Sequence, residues 1–302
     1  MTLVRVTQNM LGKQSYAGLQ ISMNRLAKSQ EQLTTGRLIN RPSDNPTGAT
    51  SAMRIRTNLA DKQQYLRNAS DAQGWLDQID TTLGTMTDQV RRARELAMTA
   101  NSGTMSPESR EALAVEVDQI RQGLISAANT TYLDRPVFGG VTSGGVAYTA
   151  AGKVADPGAM GSPTGVVRTV AEGAKVRVDV EGPTVFGDDA ANDSVFDHLA
   201  ALSTALRTAN QAGIDAATVA LDSDNKRIVN VRADVGARWN RVENARTVAG
   251  DGELTLRNAL SEVENVDLAK ATVDLKLQEV AYQAALGATS RVIRPSLLDF
   301  LR

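Results

Sequence analysis

The chain has 302 residues, with 33 Lys and Arg against 34 Asp and Glu, a net charge of −1, and no cysteine. Near-neutrality leaves no overall electrostatic footprint for nucleic acid or an anionic membrane, and the missing cysteine removes disulfides, thiolate catalysis and Cys-based metal sites together. A single histidine, His198, excludes a multi-His metal site, and 4 Phe, 2 Trp and 5 Tyr are few for an aromatic ligand pocket or for stacking bases.

What remains is a helical structural or interaction protein, with no enzyme chemistry and no cofactor expected. Residues 1–10 show no apolar stretch followed by a small-residue cleavage site, so no cleaved signal peptide is expected. No apolar run approaches the roughly 18 residues that a bilayer span requires.

Glycine and proline divide the chain. Residues 136–193 hold 11 of the 24 Gly and 4 of the 8 Pro, whereas Pro46 to Pro107 and Pro183 to Pro295 enclose proline-free stretches. Long helices are expected on both flanks, with turns and short strands between them. The fold expected is mainly α with a small β-rich insertion. Its N- and C-terminal arms form a long antiparallel helical bundle or coiled-coil rod.

In the first helix, Tyr16, Leu19, Met23, Leu26, Gln30 and Leu33 follow alternating spacings of 3 and 4, a heptad seam with one polar interruption. Gly36 sits where a C′ glycine caps a helix. Arg41-Pro42-Ser43-Asp44-Asn45-Pro46 reads as a loop, with Asn45 as N-cap and Pro46 at N1 of the next helix. Arg41 and Asp44 are expected to pair within this solvated loop.

From Pro46 a helix is expected to about Ala100, with a seam of Ala52, Ile55, Leu59, Lys62, Leu66 and Ala69. After a phase slip it continues through Ala72, Leu76, Ile79, Leu83, Met86, Val90, Ala93 and Ala97. Some 50 residues would span roughly 75 Å, so this helix requires partners along its length. Ser106-Pro107-Glu108 opens a third helix with an N-cap, a proline at N1 and an early carboxylate. Its stripe is Leu113, Val117, Ile120, Leu124 and Ala127, packed antiparallel to the second helix.

Candidate strands in the centre are Val146–Thr149, Val166–Val170 and Lys175–Val180; the last alternates polar and apolar. Beyond them, Val195, Leu199, Leu202, Leu206 and Ala209 make a helical stripe, with His198 expected on the helix surface. Leu221, Ile228, Val231, Val235, Val242, Ala245 and Ala249 continue a heptad, with Asp224 and Arg238 filling gaps, and Asp251-Gly252 is expected to end that helix. The last helix carries Leu256, Leu260, Val263 and Val266, then Val273, Leu277, Val280 and Ala284. The chain closes on Leu297, Leu298, Phe300 and Leu301, four large apolar residues with no evident core.

Two terminal helices lack a core of their own, so their stripes are read as an assembly interface: Tyr16, Leu19, Met23, Leu26 and Leu33 with Leu277, Val280, Leu297, Leu298, Phe300 and Leu301. The Asp-rich stretch Gly187 to Asp193 lacks the ligand spacing of a calcium loop, and no metal site is expected there.

The string from Gly36 through Asn40, Arg41, Pro42, Ser43 and Asp44 to Pro46 resembles the signature loop of the bacterial flagellin family. Its Arg-Pro-Ser-Asp form is similar to the hook-associated protein 3 branch, the hook–filament junction proteins. Ala128-Asn129-Thr130 with Pro136-Val137-Phe138-Gly139-Gly140, Ala233 to Arg238, and the ending Ser296 to Leu301 also resemble family segments.

The resemblance implies a flagellin-like axial subunit without enzymatic activity. It would leave the cell unfolded through the flagellar type III export path and reside extracellularly in the flagellum. Implied partners are hook-associated protein 1, flagellin, copies of itself and a flagellar export chaperone, with no nucleic acid and no membrane insertion. Residues 1–45 and 253–302 would form the inner assembly domain, 46–135 and 195–252 the helical core, and 136–194 an outer β-rich domain. Two alternatives stay open: flagellin itself, as bulk filament subunit, and a cytoplasmic coiled-coil scaffold or signalling protein, which the heptads suit but the signature loop does not.

Overall fold

The computed structural model describes residues 8–101, 105–161, 165–188 and 190–293. Its helices are α1 (Gln8–Thr35), α2 (Pro46–Ala100), α3 (Pro107–Ala128), the short α4 (Gly182–Phe186), α5 (Val195–Arg207), α6 (Gln211–Glu264) and α7 (Leu268–Ile293). The strands are β1 (Thr131–Tyr132), β2 (Arg135–Pro136), β3 (Val167–Ala171), β4 (Ala174–Arg177), β5 (Gly187–Asp188) and β6 (Asp193–Ser194). The chain forms two compact units: Met1–Ala60 with Glu253–Arg302, and Asp61–Gly252.

In the larger unit, the α2 seam from Ala69 through Leu76, Ile79, Leu83, Met86, Val90 and Ala93 to Ala97 is fully buried, at the expected heptad positions. From α6 it meets Leu221, Ile228, Val235 and Val242, which are also buried. The two helices run antiparallel. Asp80 of α2 binds Arg232 at 2.8 Å, Gln73 donates to Glu243, and Arg94 pairs with Asp222, so numbers fall on one helix as they rise on the other. Ser106 caps α3 by accepting the Ser109 N–H, as its sequence signature implies. Arg92 of α2 meets Glu116 of α3 at 2.9 Å, the antiparallel hairpin expected of a short connection.

Several expectations are corrected. Asp251-Gly252 does not end a helix: α6 continues to Glu264, taking in Leu256, Leu260 and Val263, because Gly250 and Gly252 cost only about 1 kcal/mol each against a long run of good helix formers. Ala209 falls outside α5, at φ 53° beyond the C-cap Thr208. Val146–Thr149 is not a strand; Tyr148 makes a lone bridge with Val154. The last candidate strand stops at Arg177, because the buried carboxylate of Asp179 turns away from the ladder to accept the Val166 N–H and the Arg177 guanidinium.

The described strands form three separate antiparallel pairs, β1–β2, β3–β4 and β5–β6. Pairs this small are marginal without other packing. Four aromatic side chains supply it. Phe138, Tyr148, Phe186 and Phe196 are buried, with ring centroids 5.2–5.3 Å apart. Asn129, at the end of α3, accepts the N–H groups of Ala147 and Tyr148 at 2.8 Å and donates to the Tyr148 carbonyl, tying this centre to the helices.

Candidate assembly surface

The smaller unit begins with α1 and α7 packed antiparallel. Gly36, at φ 69°, takes the left-handed cap position after α1 and accepts the Val266 N–H at 3.0 Å. Leu38 N–H donates to the Glu264 carbonyl at 2.7 Å, and Arg37 bridges Asn265. The connection leaving α1 is therefore hydrogen-bonded to the connection entering α7.

Asp44 organises the signature loop. One carboxylate oxygen accepts the N–H groups of Asn40 (3.2 Å) and Arg41 (2.9 Å); the other holds Lys28 of α1 at 2.9 Å. The Lys28 contact first, then the Arg41 N–H, hold this carboxyl below the usual carboxylate range. The expected Arg41–Asp44 side-chain pair is not formed. The Arg41 backbone serves Asp44, while its guanidinium reaches Glu31 at 3.4 Å. Asn45 caps α2 through the Gly48 N–H at 2.9 Å, as the sequence implies. Gly48 leaves room for Ile39, whose Cδ1 would lie 2.6 Å from an added Cβ. Pro42 and Ser43 are exposed.

The heptad series on α1 divides between two faces. Leu19, Leu26 and Leu33 are half-buried, on the same side as Ser15, Ser22 and Ser29, while Tyr16 and Met23 are exposed on the flank. On α7 the side turned inward carries Ala271, Leu275, Tyr282 and Ala285. Leu277 and Val280, which sequence reasoning grouped as one seam with Val273, lie on the opposite side, 65% and 63% exposed. Val273 and Leu286 are exposed as well. Helix α7 thus has two apolar sides and packs only one within the unit. Leu297, Leu298, Phe300 and Leu301 lie outside the described residues.

Each large apolar side chain gains roughly 1.5–3 kcal/mol on full burial. Tyr16, Ile21, Met23, Val273, Leu277 and Val280 together therefore hold a driving force comparable to the stability of a whole domain.

Sequence reasoning did not separate the inner from the outer side of α7, since both have 3.6-residue periodicity. The serines at 15, 22 and 29 were the available signal on α1, because small residues at helical spacing flank the half-buried leucines. No group of acidic or His residues suited to a metal ion occurs among the described residues, and no described helix is long and apolar enough to cross a membrane.

Two family models match the chain: the bacterial flagellin N-terminal helical region over residues 6–139 and the C-terminal helical region over residues 218–301. Flagellar hook-associated protein 3 of Escherichia coli K12 is 25% identical over 317 residues, covering 94% of this chain and 96% of that protein. Flagellin FlaB1 of Treponema pallidum is 26% identical, covering 92% of each. Among solved structures, a putative flagellar hook-associated protein from Vibrio parahaemolyticus shares the fold. It has a TM-score of 0.67 and 18% identity, and the match covers 74% of this chain and all of that one. Bacillus cereus FlgL aligns with a TM-score of 0.59 and 22% identity, covering 69% and 99%.

Proposed function

The chain belongs to the bacterial flagellin family, and from that premise we propose that it is an adaptor at the hook–filament junction. It is a structural component of the flagellum. The observation that carries the junction reading is the near end-to-end match to hook-associated protein 3, central segment included. The Arg41-Pro42-Ser43-Asp44 form of the loop supports the same branch.

In this reading the terminal helices, residues 1–45 and 253–302, are the inner assembly domain. The segments 46–135 and 195–252 are the helical core, and 136–194 faces outward. Assembly proceeds by burying the outer sides of α1 and α7, Tyr16 and Met23 with Leu277 and Val280, against neighbouring subunits. The apolar tail Leu297, Leu298, Phe300 and Leu301 adds to that surface. The neighbours are hook-associated protein 1 on the hook side, flagellin on the filament side and copies of itself. An export chaperone covers the C-terminal helix before secretion through the flagellar path. No catalytic step is assigned to the subunit.

The FlaB1 match, of similar identity and coverage, favours one rival, a filament subunit. Seeded polymerisation followed by light scattering separates the two. Capture at hook ends without self-elongation, followed by flagellin growth on the captured layer, is the expected result. Growth of long filaments from this chain alone overturns the junction reading.

A further inference from the structure

His198 lies between three elements of the larger unit. From α5 its Nδ1 meets Asp224 of α6 at 2.7 Å, and its Nε2 meets Asp193 of β6 at 3.2 Å. Carboxylates only accept hydrogen bonds, and a neutral imidazole has one N–H to donate. With a carboxylate on each ring nitrogen, this geometry is satisfied by the doubly protonated ring alone.

We propose that His198 is a proton-operated clasp, which as an imidazolium fastens the β5–β6 ribbon to α6 and on deprotonation releases it. Asp224, a charged residue at the α6 seam, is the anchor. Its side chain is 1% exposed, and its second oxygen binds Arg227 at 2.9 Å. Asp193 is the releasable side, 63% exposed.

When the ring loses one proton, the remaining N–H stays with Asp224. Leaving a buried carboxylate short of a donor costs far more than handing an exposed one to water. The Nε2 lone pair then faces Asp193, and that contact opens. The ribbon rests on the same network at its other strand: a Cβ added to Gly187 would lie 2.5 Å from Nη1 of Arg227.

Among the described residues, Lys153 also reaches the ribbon, donating to Asn192 at 3.2 Å, a contact that does not depend on the His198 proton. Asp197 accepts from Ser194 and pairs with Lys153 of the preceding turn at 3.2 Å. Asp188 accepts the Ala190 N–H, and Arg121 of α3 donates to the carbonyls of Phe196 and Ala151. The hydrogen bond to Asp224 first, reinforced by the charges of Asp224 and Asp193, raises the ring above the usual 6.5 against burial and Arg227. A raised value in the folded chain means that the clasp is complete below pH 6.5 and is lost as pH rises through the folded value.

Because the chain has one histidine, the ring can be followed alone in full-length protein labelled with 15N-histidine, from pH 5.5 to 9. Both nitrogens protonated at the acid end of this range, and titration above 6.5, are expected. Hydrogen exchange of residues 187–194, corrected for intrinsic rates, should lose protection across the same titration while α2 stays protected. His198→Gln should remove the pH step. Asp193→Ala, at an exposed position that leaves the Asp224 contact intact and offers Nε2 no acceptor, should lower that protection even at low pH. A ring titrating at or below 6.5 overturns the proposal. So does a ribbon whose protection is indifferent to that titration, or one that is as protected at low pH in Asp193→Ala as in the parent chain.

Discussion

The backbone N–H of Leu38 donates to the carbonyl of Glu264 at 2.7 Å, joining the turn after α1 to the end of α6. Around it, Gly36 accepts from Val266, and Arg56 binds the nearly buried Glu264 carboxylate at 2.8 Å. Gly36 to Leu38, the start of the loop, are therefore one half of a two-stranded contact, and the loop residues are explained by backbone geometry and two ion pairs, Lys28–Asp44 and Arg41–Glu31, rather than by chemistry on a ligand.

Removing the Asp44 carboxylate should loosen this contact. Asp44→Ala withdraws the acceptor of two backbone N–H groups and the partner of Lys28. Faster amide exchange at Asn40 and Arg41 is expected, with Asp44→Asn intermediate because it keeps one side-chain oxygen. The carboxyl is held below its ordinary value of 3.8. Its contribution is therefore present above that pH and disappears as acid takes the loop through the lower folded value. A pH series of exchange at Arg41 checks this.

Outward substitutions on α7 should separate assembly from folding. Leu277→Asp or Val280→Asp changes a wet position of the isolated subunit, so monomer stability should move by less than about 1 kcal/mol. Incorporation should fail, because a carboxylate buried without a partner in a packed contact is costly. Denaturant melts paired with the seeded assay measure both effects; normal incorporation of either variant removes this side of α7 from the interface.

Inward substitutions should do the reverse. Leu83→Ala empties a fully buried seam position of α2. A loss of about 2–5 kcal/mol is expected, read as a lower denaturant midpoint at unchanged slope.

The aromatic centre offers a sterically defined test. A Cβ on Gly182 would lie 2.2 Å from the hydroxyl of Tyr148, whose ring is held among Phe186 and Phe196. Gly182→Ala should therefore cost about 1–3 kcal/mol through displaced rings. Near-ultraviolet circular dichroism of the tyrosine band would report the shift directly.

Much of the fold was legible in the residues. The α2 seam from Ala69 to Ala97, the Ser106 and Asn45 caps and the Gly36 stop are local matters, decided by periodicity and by which side chains satisfy helix ends. The string from Gly36 to Pro46 pointed to the family that the helical-region matches show, because a turn needs particular residues at fixed offsets. The order of helical arms about a Gly-rich centre was equally plain from where proline is absent.

The sequence by itself determined where α2 and α3 start, which stripes are apolar and which family the chain resembles, because each depends on residues near one another in the chain. Tertiary structure alone decided which of two stripes on α7 faces α1. It decided that Asp44 serves backbone N–H groups and Lys28 rather than the Arg41 guanidinium. It also decided that His198, expected on a surface, sits between Asp193 and Asp224. Those outcomes depend on elements brought together from distant parts of the chain, and periodicity along one helix contains no information about what packs against it.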